Sequence, residues 1–145
     1  MTAIDTRSAA YEVMRRMFDE GFSTGNEAVV DELCSPDLVE HQFRLAGPAA
    51  EAVQQVKAAM RDVHLAVPDI CFSIEDSVES GDTIWVRARA RGTATGPFFG
   101  SPSGRPVDFT VIDVARIVNG RIVEHWGVPD RFAVLAQTGV LDRLA

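Results

Sequence analysis

From Thr6 to about Ser23, apolar residues fall at Ala10, Tyr11, Met14, Met17, Phe18 and Phe22. That i, i+3, i+4 spacing predicts a helix with one buried face. Asp5 or Thr6 is placed to cap its start and Gly25 to end it. Asn26 then suits the cap of a short second helix carrying Val29, Val30 and Leu33. Ser35-Pro36-Asp37 reads as a break, and Leu38 to Phe43 as a short strand. A third helix is predicted from Ala49 to Ala66, with Pro48 at its start and a stripe of Val53, Val56, Met60 and Val63.

After Pro68-Asp69 the period changes from helical to alternating. Strands are predicted over 70–78, 83–93, 106–118 and 121–128, with Gly81-Asp82 and Asn119-Gly120 as turns; Asn-Gly is a strong two-residue hairpin signal. A last helical stretch from Arg131 to Leu144 is interrupted at Thr138-Gly139. Helices first and strands afterwards imply one α+β domain over residues 1–145, its helices on one face of a curved antiparallel sheet.

Strand parity selects candidate chemistry, because alternate residues face opposite sides of a sheet. Phe109, Val111, Asp113, Ala115 and Ile117 share a face on which Asp113 is the only charge. On the next strand, Ile122, Glu124, Trp126, Val128 and Asp130 share a face by the same count. A carboxylate against apolar walls is a candidate general acid or base. The alternatives are a helix cap for Asp130 and a salt bridge to Arg87 or Arg89 for Asp113. His41, between Val39 and Phe43, is either a packed histidine or a site residue. His64 and His125 are weaker candidates, His125 because its parity is opposite to that of Trp126.

The remaining composition mostly removes options. A net charge of -7 argues against a nucleic-acid partner. No apolar run approaches the roughly 20 residues that span a bilayer, and the N-terminus lacks the layout of a signal peptide. Cys34 and Cys71 lack metal-type spacing, and no closely spaced histidine pair occurs, so neither a disulfide framework nor a metal is expected. These features together point to the cytoplasm. Thirteen of the fourteen basic residues are Arg, a bias that codon usage explains. Arg87, Arg89 and Arg91 form a stripe that suits an anionic substrate, a solvated face or a dimer surface. Gly92, Gly96, Gly100 and Gly104 mark a long tight connection, where Phe98 and Phe99 either cover a pocket or simply pack. The loop lacks the Lys-Ser/Thr ending of a P-loop.

The order of elements carries several motifs: Ser-Pro-Asp-Leu-Val-Glu-His, Ser-Gly-Asp-Thr-Ile-Trp-Val-Arg, Gly-Thr-Ala-Thr-Gly-Pro-Phe-Phe-Gly and Ile-Val-Glu-His-Trp-Gly-Val-Pro-Asp. Over roughly residues 8–140 it resembles the SnoaL-like polyketide cyclases of the nuclear-transport-factor-2-like superfamily. The resemblance implies a cone-shaped α+β domain with a pocket between sheet and helices. It favours an enzyme that needs no cofactor or metal and closes a ring by intramolecular aldol condensation on a hydrophobic polyketide ketone or methyl ester. It assigns the acid/base role to Asp130 and matches His41 and Asp113 to pocket-lining positions and Trp126 to an aromatic wall. Together with the residue reading, this makes Asp130, His41 and Asp113 the expected catalytic residues and Trp126, Phe18, Arg87 and Phe98 the expected substrate contacts. Ketosteroid isomerases share the fold, but Phe18 replaces the tyrosine they need. Ala94 stands where many relatives carry a histidine, and any role of that position is lost. Two alternatives remain open: epoxide hydrolysis by Asp113, Arg87 and Asp130, and a non-catalytic small-molecule binder. Phe18, His41, Asp113, Trp126 and Asp130 are expected to converge on one cavity, and the open sheet face to pair two copies as a homodimer.

Overall fold

The first helix opens at Ser8, whose hydroxyl accepts the Tyr11 N–H at 3.0 Å. This is seen in a computed structural model that describes residues 7–42, 51–97 and 102–144. The expected caps Asp5 and Thr6 lie outside the described residues. Helix α1 (Ala9–Arg16) runs into a π-helical segment, Met17–Phe22, where the Ser23 N–H reaches back five residues to the Phe18 carbonyl at 2.8 Å. The segment keeps Met17 and Phe18 buried, and such wide turns are frequent at functional sites. The Asn26 carboxamide accepts the Ala28 N–H at 3.2 Å and starts α2 (Ala28–Leu33).

Strand β1 (Cys34–Glu40) follows α2 directly. Ser35-Pro36-Asp37, expected as a break, lies within this strand, which begins four residues earlier than its hydrophobic run. Helix α3 (Ala52–Ala66) precedes four strands: β2 (Cys71–Ser80), β3 (Thr83–Thr93), β4 (Pro106–Val118) and β5 (Arg121–Pro129). Asn119 and Gly120 both take positive φ, the geometry a two-residue hairpin between β4 and β5 requires. Helix α4 (Arg131–Gln137) and a final 3-10 turn, Leu141–Leu144, close the chain.

The sheet order is β1-β5-β4-β3-β2. It is mixed rather than wholly antiparallel, because β1 joins the edge parallel to β5. One face of the sheet is covered by the helices. Met14, Phe18, Val30, Leu38, Met60, Ile84, Val86 and Val107 are buried between the layers, each worth roughly 1.5–3 kcal/mol by transfer from water. Among the described residues no helix is long and apolar enough to cross a membrane.

The glycine-rich connection is pinned at Gly96, whose N–H donates to the Ala66 carbonyl at 2.9 Å. A Cβ at Gly96 would sit 1.8 Å from the Leu65 carbonyl oxygen at the end of α3. Backbone cannot swing aside as a side-chain tip can. Gly96→Ala is therefore expected to cost about 3 kcal/mol or more, among the larger effects of a single substitution. A lowered urea midpoint with unchanged slope checks this; a midpoint equal to wild type would refute it.

Candidate active site

Between the helices and the inner sheet face lies a cavity of about 270 Å³. Its walls are mostly apolar: Met14, Met17 and Phe18 from the first helical segments, Val56 and Val63 from α3, Phe72, Phe109 and Val111 from the sheet. Phe18 packs on Phe72 with ring centroids 5.5 Å apart. Into this surface open the polar side chains of Glu40, Gln42, Asp113 and His125, with Asp62 on α3 and Arg131 on α4.

The uninterrupted alternation of β4 brings Asp113 inward, and its residue is only 8% exposed. The neighbouring strand does not alternate without interruption. Ile117 pairs with Ile122 but Arg116 pairs with Glu124, so Val123 is an extra residue opposite β4. Such a bulge inverts the facing of everything beyond it. Ile122 faces the core before the bulge, and after it His125 and Pro129 reach the cavity, while Trp126 and Val128 are exposed.

His125 is held from both sides. Its Nδ1 lies 2.9 Å from each Glu40 carboxylate oxygen, and its Nε2 lies 3.2 Å from Asp113 Oδ2. Burial by itself disfavours the charged ring, but the Asp113 and Glu40 carboxylates outweigh it and push the His125 pKa up to about 10. At neutral pH the ring is an imidazolium that donates from both nitrogens. Glu40 is fixed in turn by the Gln42 N–H, which donates to its Oε1 at 2.9 Å. Asp113 Oδ1 is buried and has no hydrogen-bond partner among the described residues. A Cβ at Gly127 would collide with the Gln42 carboxamide oxygen at 1.7 Å and Asp113 Oδ1 at 2.8 Å. Only glycine there lets these two groups close over β5.

The expected convergence of five side chains is therefore corrected. Phe18 and Asp113 line the cavity; His41, Trp126 and Asp130 do not. His41 lies beyond β1 on the opposite face from Glu40, stacked on Trp126 with centroids 4.6 Å apart and its Nε2 3.5 Å from Glu124. Asp130 is exposed and caps α4, accepting the Ala133 N–H at 3.0 Å. Arg87 is on the outer face of β3, where it shares a shallow depression with Asp130. Asp113 and Arg87 thus point to opposite sides of the sheet, and the Asp-Arg-Asp set is not assembled. Arg89 pairs with Asp108 rather than Asp113. Phe98 lies outside the described residues.

Glu40 and His125 are the residues that sequence reasoning passed over. One signal points to them: the dipeptide Glu-His occurs twice, at 40–41 and 124–125. The parallel register sets Glu40 beside His125 and Val39 beside Glu124. The two dipeptides cross-pair, Glu40 with His125 inside and His41 with Glu124 outside.

Cys34 also lines the cavity, but burial pushes its thiol up to about 12, which leaves no thiolate for nucleophilic chemistry. Among the described residues no group of three or more His, Cys, Asp or Glu side chains is arranged to hold a metal ion.

Residues 12–138 match the family profile described as SnoaL-like polyketide cyclase. The chain is 31% identical over 140 residues to the aklanonic acid methyl ester cyclase DauD of Streptomyces sp. (strain C5), covering 91% of this chain and 83% of that protein. It is also 31% identical to the aklanonic acid methyl ester cyclase DnrD of Streptomyces peucetius, covering 91% and 92% of the two chains. Among solved structures, wild-type IdmH from Streptomyces antibioticus superposes with a TM-score of 0.78 at 31% identity, over 90% of this chain and 98% of that one. TsrD from Streptomyces laurentii shares the fold, with a TM-score of 0.80 at 24% identity over 92% and 96% of the two chains.

Proposed function

The chain belongs to the SnoaL-like polyketide cyclase family, and we propose that it closes a ring on a polyketide-derived ketone ester by intramolecular aldol addition, with Asp113 as the base. The observation that carries this reading is Asp113 Oδ1, a buried carboxylate oxygen without a hydrogen-bond partner among the described residues, on a side chain that lines a mostly apolar cavity. His125 occupies the other oxygen at 3.2 Å, so Oδ1 is the one directed to a ligand.

The sequence of steps follows from that arrangement. Oδ1 takes a proton from the carbon between the ketone and ester carbonyls, leaving an enolate. The enolate carbon attacks the second carbonyl; the new C–C bond forms as that carbonyl's π electrons move to oxygen. The alkoxide then recovers the proton from Asp113, so the enzyme ends as it began. His125 stays protonated and holds the carboxylate in place. The Gln42 carboxamide, against Gly127 beside Asp113, is placed to donate to the enolate oxygen. Exchange of the acidic carbon's hydrogen for deuterium, catalysed by the protein on an anthraquinone β-ketoester methyl ester, tests the first step. Absence of exchange and of ring-closed product with every such ester would favour the binding-module reading.

The outer face of the sheet supports a second copy as partner. Trp85 is 50% exposed and Val128 67% exposed; Val114 lies between Trp85 and Trp126 across the strands, and Ile112 pairs with Val128. A patch of this kind is unfavourable in water and is buried by pairing sheet against sheet. Sedimentation at micromolar concentration is expected to give twice the subunit mass, and Trp85→Glu to halve it. A wild-type mass of one subunit would sink the homodimer.

A further inference from the structure

We propose that Glu40 is a positioning residue for Asp113, acting across the His125 ring that lies between them. The inference deepens the cyclase reading and rests on it. Glu40, His125 and Asp113 form a row of negative, positive and negative groups, with both ring nitrogens engaged at 2.9 Å and 3.2 Å. The Glu40 side chain is 1% exposed, so its charge is not there for solubility. Burying a carboxylate is costly unless something is gained from it.

The gain is twofold. First, Glu40 fixes the plane of the ring and thereby which Asp113 oxygen is free; a ring held only at Nε2 can turn. Second, it keeps the ring charged, because its carboxylate stays beside Nδ1 whatever Asp113 carries. When Asp113 carries the substrate's proton, Glu40 still neutralises His125, so the ring keeps its own proton throughout. Among the described residues the other titratable or charged groups facing this cavity are Cys34 on β1, Asp62 on α3 and Arg131 on α4. Cys34 is neutral, and among the described residues the carboxylates paired with His125 are those of Glu40 and Asp113, which set its state.

The test is Glu40→Gln, which keeps the shape and an acceptor for the Nδ1 proton but removes the charge. The plateau exchange rate on the β-ketoester is expected to fall about 3- to 10-fold. The alkaline limb of its pH profile is expected to move down by about one pH unit, because His125 holds its proton less firmly without the Glu40 carboxylate. Glu40→Asp keeps the charge and is expected to restore the wild-type limb. A folded Glu40→Gln protein with an unmoved alkaline limb would reduce Glu40 to a structural role and overturn the proposal. Nitrogen-15 NMR of His125 in the wild type gives a second, activity-free reading. Both ring nitrogens should remain protonated to about pH 9, and a neutral tautomer at pH 7.5 would overturn the proposal even if Glu40→Gln fails to fold. A wild type that catalyses no exchange, yet shows the imidazolium, would overturn the cyclase reading instead.

Discussion

Asp113→Asn lowers the rate of deuterium exchange and of ring closure by about 10²–10⁴-fold, the usual contribution of a general acid/base group, with the fold retained. Asn has the size and planar shape of Asp, and its carboxamide oxygen still accepts from His125 Nε2. What it lacks is an oxygen that can take a proton from carbon and return it. The loss should appear in kcat rather than KM, because the proton moves only in the transition state and later. Asp130→Asn is the matched control. Asn caps helices about as well as Asp, and Asp130 contributes the cap of α4 rather than a wall of the cavity. Its exchange rate is expected within a few-fold of wild type. The opposite ranking, an inactive Asp130→Asn beside an active Asp113→Asn, would return the base role to Asp130.

The largest expected effect on stability is that of His125→Leu. Removing the imidazolium leaves Asp113 and Glu40 as two buried carboxylates without their cation. Breaking a buried ion pair in this way costs about 3–5 kcal/mol. A group whose pKa is raised in the folded state contributes stability that is present at low pH and lost as pH rises through the folded value. The pKa of His125 rises from its usual 6.5 to about 10 on folding. Its stabilisation is complete below about pH 6.5 and is lost between there and about pH 10. The variant lacks this group, so its deficit is expected to be largest below about pH 6.5 and to shrink toward about pH 10. Urea midpoints across pH 5–10 for both proteins check this, and a variant deficit independent of pH would contradict the ion-pair account.

The parts legible in the sequence are those governed by neighbours along the chain. The helical stripe over Met14, Met17 and Phe18, the Asn119-Gly120 turn and the alternation that turns Asp113 inward all depend on local period and local dihedral preference. The family motifs were legible for the same reason, as contiguous strings. Three outcomes rested instead on contacts distant in sequence. The bulge at Val123 has no glycine or other marker in Ile122-Val123-Glu124, and it arises from the register of β5 against β4. It exchanges the facings of His125 and Trp126, which moved the expected site from one residue to its neighbour. The parallel seating of β1 on β5 likewise decided that Glu40, not His41, faces the cavity. A glutamate between Val39 and His41 reads as a solvent-facing charge, because burial of a carboxylate is affordable only with a partner, and this one's partner is 85 residues away. The sequence by itself determined the elements, the apolar walls and the inward Asp113. The tertiary structure alone decided which charges meet there, since pairing across strands is set by register, and register is not a local property of any strand.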